Sequence, residues 1–206
     1  MVETLAEIQI ATKLMSEDTA GLHELDANFA KLKCDMEVLD EASDEFKMIE
    51  AYTANTYETG KQFGYGSQQQ APAIDAVYKL GRDGEDARFK TKAKLGNRKL
   101  LWHGSRITNY VGILSQGLRI APPEAPCSGY RFGKGVYFAD MCSLSARYCR
   151  TYGKGKFAML LGDVALGKEA ELSRDKFMTK SEPGTDSTKA LGRIEPDPKK
   201  NTPLPG

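Results

Sequence analysis

Residues 102–105 read Trp-His-Gly-Ser and close an apolar stretch of the chain. A histidine at such a point can donate or accept one hydrogen bond. The glycine after it lets a flat ligand approach the backbone, whose N–H and C=O then act as a donor and acceptor pair. Four residues are a weak signal, because a histidine with a purely structural hydrogen bond is common at a strand end.

Two further segments carry tyrosines that could face a ligand. The candidates on them are Tyr130, Lys134, Tyr137, Ser145 and Tyr148. Ser145 and Tyr148 are three residues apart, so a short helix would put them on one face. Rings from different segments can enclose a planar aromatic group, which is worth about 0.5–1.5 kcal/mol per ring pair beyond area burial. The alternative is that Tyr137 and Tyr148 are ordinary half-buried core tyrosines.

The elements that must position these candidates follow from hydrophobic periodicity and from glycine and proline. The pattern predicts strands at Leu32–Leu39, Ala73–Leu80, Arg98–Ser105, Val136–Ala139, Phe157–Leu166 and Glu169–Leu172. It predicts helices at Ser43–Glu58 with Ser43 as N-cap, at Ile107–Gln116 ended by Gly117, and at Ser143–Arg150 capped by Asp140 or Ser143. Irregular loops are expected at Gly60–Pro72 and Ala121–Gly135, and the pattern fades from Met178 onward. The fold class is therefore α+β, a mixed sheet with short helices.

The first 28 residues have a different character. Glu3–Met15 sets Leu5, Ile8, Thr12 and Met15 on one helical face. Such an amphipathic helix must bury its apolar face, so it packs on the rest of the chain or is a remnant of a helical region. The polar stretch Ser16–Asn28 is predicted to be a linker or an irregular turn.

Composition narrows the function classes. Lys plus Arg (29) nearly balances Asp plus Glu (28) in 206 residues, which argues against direct nucleic-acid binding by this segment. No stretch resembles a signal peptide or a membrane span. None of the four cysteines stands in a Cys-x-x-Cys pair, so we expect no metal site, free thiols and an intracellular location.

Longer runs around the candidates identify a family. These runs are residues 100–106, 112–126, 129–140, 160–167 and 192–198. They include Leu-Leu-Trp-His-Gly-Ser-Arg and Gly-Tyr-Arg-Phe-Gly-Lys-Gly-Val-Tyr-Phe-Ala-Asp. They closely resemble the catalytic domain of the DNA-dependent poly(ADP-ribose) polymerases. The resemblance covers roughly residues 30–200. It implies an ADP-ribosyltransferase-type split sheet, mixed and antiparallel. Residues 1–28 would be the last helix of a helical regulatory domain plus a linker, and 29–206 the catalytic domain.

The resemblance also implies an activity. It is the transfer of ADP-ribose from NAD+ to protein side chains, with release of nicotinamide. NAD+ is then a substrate, no metal is needed, and the partners are acceptor proteins, with automodification among them. It further implies a nuclear protein linked to DNA repair, with no membrane partner.

Residue roles follow from matching positions in the family. The backbone of Gly104 and the hydroxyl of Ser145 would hold the nicotinamide amide, while Tyr148 and Tyr137 would enclose its ring. His103 would bind the adenine-side ribose. The residues that would line the adenosine and ribose pocket are Ser105, Asn109, Gly112 and Arg119. Tyr130 and Lys134 would lie on or beside the donor-site loop, which is Ala121–Gly135. Those given catalytic roles are His103, Tyr137 and Lys134.

One family residue has no counterpart among these 206 residues. The family places a glutamate on a late strand, in an Asn-Glu-Tyr type segment, where it bonds the nicotinamide-ribose 2′-hydroxyl. The sequence is expected to be C-terminally incomplete because it stops before that segment. The alternative function is thus a catalytically impaired fragment that binds NAD+ or ADP-ribose.

Overall fold

A computed structural model describes residues 12, 21, 23–57, 71–120, 130–150 and 155–203. Its helices are α1 (Glu24–Lys31), α2 (Asp44–Asn55), α3 (Glu85–Ala93), α4 (Tyr110–Gln116) and α5 (Cys142–Ala146). Its strands are β1 (Cys34–Val38), β2 (Tyr78–Arg82), β3 (Arg98–Gly104), β4 (Met159–Ala165), β5 (Glu169–Leu172) and β6 (Ser187–Ala190). Short 3-10 turns cover Ile107–Asn109, Arg147–Cys149 and Pro198–Lys200. The predicted α+β class is confirmed.

The strands form three pairs. β1 and β2 are antiparallel, with Val38 opposite Tyr78. β3 and β4 are also antiparallel, with Gly104 opposite Met159. β5 and β6 are parallel. Both strand directions therefore occur, as the sequence predicted for a mixed sheet.

Several predicted elements are confirmed within a few residues: β1, α2, β3, α4, β4 and β5. Ser43 is the N-cap of α2, and its hydroxyl accepts a hydrogen bond from the Phe46 N–H at 3.1 Å. Gly117 ends α4 with φ +78°, in the left-handed region that favours glycine.

Three predictions were wrong in ways that have a physical cause. Residues 24–28 are not a linker but the start of α1, whose first turn is capped by the His23 ring accepting from the Leu25 N–H at 3.3 Å. Val136–Ala139 is no strand, because only Ala139 pairs, in a single bridge to Trp102. The helix predicted at Ser143–Arg150 is α5, which begins at Cys142, and neither proposed cap residue, Asp140 or Ser143, bonds its N-terminus.

Other elements differ in extent or were missed. The strand predicted at Ala73–Leu80 begins only at Tyr78. α3 was not predicted, since charged residues dominate it and none is buried. β6 lies where the pattern fades. The predicted helix Glu3–Met15 lies outside the described residues apart from Thr12, and so do most of the loop 60–72 and residues 121–129.

The core is centred on Trp102 of β3. Its ring stacks on Tyr52 of α2 with 5.4 Å between centroids, and only 5% of the residue is exposed. The indole N–H donates to the Thr56 hydroxyl at 3.1 Å, and that hydroxyl donates to the Tyr52 carbonyl at 2.7 Å. The Tyr52 phenol donates to the Leu100 carbonyl at 2.7 Å, so α2 is tied directly to β3. Burial raises the pKa of Tyr52 to about 12, which keeps that donor protonated.

Replacing Thr56 by valine should lower the free energy of unfolding by about 1–3 kcal/mol, because it leaves the buried indole N–H without an acceptor. Valine keeps the volume and removes only the hydroxyl. Thr53→Val is a matched control on the same helix, since the Thr53 hydroxyl bonds only the Ile49 carbonyl one turn earlier. Urea unfolding measures both, and equal effects would contradict the role given to the indole bond.

In the described parts of the chain, no helix is both long enough and apolar enough to cross a bilayer.

Candidate active site

The backbone of Gly104 faces away from β4. Trp102 exchanges both of its backbone hydrogen bonds with Ala139, at 2.8 Å each. Peptide groups along a strand alternate between its two edges, so the N–H and C=O of Gly104 point to the same edge as those of Trp102. The strand register sets Gly104 beyond the bridge to Ala139, next to the segment that holds Tyr137. A donor and acceptor pair is thus presented at the end of β3.

Helix α5 closes one side of this glycine. A Cβ atom on Gly104 would lie 2.7 Å from the carbonyl carbon of Ser145 and closer still to its oxygen. The Ser145 hydroxyl donates to the Trp102 carbonyl at 2.9 Å, and 4% of the residue is exposed. Because backbone meets backbone here, the position requires glycine. The predicted partners Gly104 and Ser145 do lie together.

His103 is held by the backbone of Tyr137. Its Nδ1 lies 2.7 Å from the Tyr137 carbonyl, and its ring meets Phe138 edge-on at 5.8 Å between centroids. A carbonyl only accepts, so Nδ1 carries the proton and Nε2 of the neutral ring is left as an acceptor. Burial lowers the pKa of His103, against a smaller opposite effect of the Tyr137 carbonyl, so the ring is neutral near pH 7.

Tyr137 is fixed at its hydroxyl rather than by packing of its ring. The phenol donates to the Gly133 carbonyl at 2.7 Å and accepts from the Phe132 N–H at 3.2 Å. The Tyr130 ring lies beside it, with 6.3 Å between centroids. Burial, and then the neighbouring phenols of Tyr130 and Tyr148, raise the pKa of Tyr137, so it stays a neutral donor.

Tyr148 follows α5 in a 3-10 turn and is open to solvent. It is 61% exposed and Tyr137 is 39% exposed, so neither is an ordinary core tyrosine. Ser145 in α5 is buried, whereas Tyr148 in the 3-10 turn Arg147–Cys149 is largely exposed.

The remaining candidates lie around this centre. The Asn109 side chain donates to the Ser105 hydroxyl at 2.8 Å, so those two are together just beyond β3. Gly112 lies within α4, and Arg119 is exposed after its end. Lys134 is exposed, and its backbone N–H donates to the Met178 carbonyl at 3.0 Å. Sequence reasoning missed three residues that shape the site: Phe138, Gly133 and Met178.

Metal ligands are not gathered in the described parts of the chain, where no group of three or more His, Cys, Asp or Glu side chains could hold an ion. Cys34, Cys142 and Cys149 are free and buried. Burial raises the pKa of each thiol, that of Cys142 to about 12, so they are protonated and unreactive.

Stability should depend on His103 below neutral pH. Its pKa in the folded protein is lower than 6.5, so the unfolded chain binds the proton more readily. The contribution of His103 is complete above pH 6.5 and is lost as pH falls from there through the folded pKa. Melting temperatures between pH 5 and 8 measure this, and His103→Gln should flatten the curve. A pH dependence that His103→Gln leaves unchanged would contradict this role.

Comparison with known proteins places the chain. The family model described as the poly(ADP-ribose) polymerase catalytic domain matches residues 43–205. The chain is 44% identical to poly(ADP-ribose) polymerase 1 of Gallus gallus, over 100% of this chain and 20% of that protein. It is 48% identical to poly(ADP-ribose) polymerase 2-A of Oryza sativa subsp. japonica, over 96% of this chain and 29% of that protein. It is 46% identical to the poly(ADP-ribose) polymerase of Drosophila melanogaster, over 98% of this chain and 20% of that protein.

The chain thus spans between a fifth and a third of the length of these relatives. A family model covers residues 43–205, and these relatives are 44–48% identical to nearly the whole chain. The chain belongs to the poly(ADP-ribose) polymerase catalytic-domain family.

Proposed function

We propose that this chain is an NAD+ ADP-ribosyltransferase that transfers ADP-ribose to protein side chains and releases nicotinamide. The observation that carries the proposal is the peptide edge of Gly104, which the strand register turns away from β4 toward the Tyr137 segment. A carboxamide needs one donor and one acceptor in a single plane, which is what the N–H and C=O of one residue provide. No metal is required for this reaction.

The aromatic side chains fit the rest of a nicotinamide ring. Tyr137 and Tyr148 are both exposed, so each has surface that a planar ligand could cover. In this arrangement the ring would lie between them while its amide bonds Gly104. The Ser145 hydroxyl donates to Trp102 and keeps acceptor capacity for the amide N–H of the ligand.

His103 suits the ribose of the adenosine half. Its neutral Nε2 is an acceptor, so it would accept from a ribose hydroxyl while Nδ1 stays bonded to Tyr137. The Asn109 and Ser105 pair, with Gly112 and Arg119 on and after α4, would continue this pocket. Tyr130 and Lys134 lie on the turn before Tyr137 and would border the donor site.

NAD+ supplies the bond that breaks: the nicotinamide nitrogen keeps the electron pair and leaves neutral, the acceptor oxygen bonds to the ribose carbon, and its proton goes to solvent. The residues named here would act by position. Gly104, Ser145 and the two tyrosines would fix the ring, and His103 would fix the sugar, which removes orientational freedom before the reaction. Tyr137 would also face the positive charge that builds on the ribose.

The wider setting of the reaction is part of the same proposal. Acceptors would be proteins, this chain among them, and the location would be nuclear. Residues before Glu24 would belong to a helical unit that precedes the catalytic domain, because α1 (Glu24–Lys31) runs across the boundary expected at residue 28.

Two measurements on the purified chain test the function. Calorimetric titration with NAD+ should show saturable binding at one site. Incubation with NAD+ labelled in the adenylate should transfer label to protein and release nicotinamide in equal amount. Absence of NAD+ binding would contradict the proposal, whereas binding without transfer would leave a binding module only.

A further inference from the structure

We infer that the backbone of Met178 positions Tyr137, and through it His103, for NAD+. Met178 lies between β5 and β6, in a segment that none of the assigned roles includes. The inference rests on the proposed function, because the site that it positions is the proposed nicotinamide and ribose site. It makes Met178 a positioning residue that acts through its peptide group.

The first step is a close backbone contact with Gly133. This glycine is buried and has φ +100°, which side-chain-bearing residues rarely adopt. A Cβ atom there would lie 2.5 Å from the Met178 carbonyl carbon and closer still to its nitrogen and oxygen. The Lys134 N–H donates to the Met178 carbonyl at 3.0 Å. Residues 133–134 are therefore seated directly on the Met178 peptide.

The second step leads from this turn to the site. The Gly133 carbonyl accepts the Tyr137 phenol at 2.7 Å, and the Phe132 N–H donates to the same phenol oxygen at 3.2 Å. Tyr137 then holds His103 through its own carbonyl at 2.7 Å. Met178, the Gly133 turn, Tyr137 and His103 thus form one chain of contacts, each link of which is a hydrogen bond or a close backbone approach.

The third step concerns the segment that carries Met178, between β5 and β6, which is bonded at its end to the residue before β5. The Asp186 carboxylate accepts from the Lys168 N–H at 2.9 Å, and the Asp186 N–H donates to the Lys168 carbonyl at 2.8 Å. These bonds tie the segment to the start of the parallel pair β5 and β6. Lys176 forms an ion pair with Glu182 within the segment. The turn before Tyr137 therefore contacts a segment that is bonded to the start of β5, outside the proposed site.

An ion pair adds a weaker contact between the same segments. Arg131 Nε lies 2.7 Å from Asp175 Oδ2, with both side chains largely exposed. Exposed pairs of this kind contribute little to stability and are screened by salt. The peptide contact at Gly133 is the stronger determinant, since it leaves no space for any other residue.

Positioning matters here because the Tyr137 ring is not packed into the core. A ring that is 39% exposed is held by its hydroxyl bonds, and those bonds end on the Gly133 turn. A displacement of about 1 Å in a binding site can cost about 10²-fold in rate. Moving the turn off Met178 would displace Tyr137 and loosen His103 together.

The test compares three glycine-to-alanine variants in NAD+ titrations. Gly133→Ala should weaken NAD+ binding at least tenfold. Gly184→Ala has the same type of backbone strain, with φ +79°, but its new methyl meets nothing within 4 Å, so affinity should stay within twofold. Gly135→Ala lies on the same loop, also without a neighbour, and should behave likewise. Equal affinities for Gly133→Ala and Gly184→Ala would overturn the inference.

A double-mutant cycle with Tyr137→Phe separates positioning from general loss of structure. If Gly133 acts by holding the Tyr137 hydroxyl, the two substitutions together should cost little more than the larger one alone. Losses that multiply would overturn the inference. Failure of the wild type to bind NAD+ would instead refute the proposed function, so the two failures are distinguishable.

A measurement on the wild type covers the case in which Gly133→Ala does not fold. The Lys134 amide, bonded to Met178, should exchange its hydrogen more slowly than the Gly135 amide, and saturating NAD+ should slow it further. Unchanged exchange at Lys134 on NAD+ binding would overturn the inference, because the turn would then be independent of the site.

Discussion

Replacing Gly104 by alanine should weaken NAD+ binding and slow ADP-ribose transfer by about 10²-fold, the cost in rate of misplacing groups in the site by about an ångström. The new methyl would lie 2.7 Å from the Ser145 carbonyl carbon and 3.3 Å from Cys149 Sγ. Neither end of this contact is flexible, so α5 must move away from β3. That movement breaks the Ser145 bond to Trp102 and shifts Tyr148. The free energy of unfolding should fall by about 1–3 kcal/mol, as for other overpacked sites.

Gly162→Ala is the matched control for that variant. It lies on β4, opposite Leu101, and its new methyl would meet Phe138 at an ordinary 3.7 Å. Calorimetric titrations with NAD+ and with ADP-ribose distinguish a local from a general effect. Because Gly104 is proposed to hold the carboxamide, Gly104→Ala should reduce NAD+ affinity more than ADP-ribose affinity. Equal losses for both ligands would refute the role assigned to Gly104.

The elements predictable from sequence are those whose signals are local. A few neighbouring residues predict each of these elements: apolar runs predict β3 and β4, Ser43 predicts the start of α2, and Gly117 predicts the end of α4. The missed elements depend on distant partners. β6 is a strand because it pairs with β5, each residue with a partner 18 positions away, in a stretch without periodic apolar residues. α1 has an uncommon cap, a histidine ring, that no helix-start pattern includes.

The candidate site divides in the same way. Motif resemblance supplied Gly104, Ser145 and Tyr137, and the structure brings these near one another. What the sequence could not supply is orientation. The edge to which Gly104 points is set by the single bridge from Trp102 to Ala139, where a whole strand had been predicted. The contact between Met178 and Gly133 joins two irregular segments, whose sequences have no hydrophobic periodicity. Only the glycine at position 133 indicates that another backbone segment lies close to it.

A common property explains why this site resists prediction from side chains. The peptide groups of Gly104, Tyr137 and Met178 make the contacts that set its geometry. Any residue type supplies a peptide group, so such contacts leave a mark in sequence only where glycine is obligatory. Both positions with that demand, 104 and 133, lie within the motifs that resemble the family. The tyrosines add ring surface to a frame that the backbone has already fixed.

Tyr148→Ala should weaken binding of NAD+ and of nicotinamide by about tenfold to a hundredfold, since a lost ring contact and its buried area cost about 1.5–3 kcal/mol. Tyr148→Phe should retain most of the affinity, because the ring face is the proposed contact. Stability should change little in both variants, as the side chain is largely exposed. Titration with nicotinamide alone isolates this contact from those made by the adenosine half.

Tyr78→Ala is the control for Tyr148→Ala. Tyr78 is also more than half exposed, but it lies on β2 opposite Val38 and is not among the residues of the proposed site. Its loss should leave NAD+ affinity within about twofold. If Tyr148→Ala also left nicotinamide affinity unchanged, the ring would lie elsewhere than between Tyr137 and Tyr148. Gly104 and Ser145 would then have to hold the carboxamide without a ring on the Tyr148 side, and hydrogen bonds of about 1 kcal/mol each are too weak to do so alone in water.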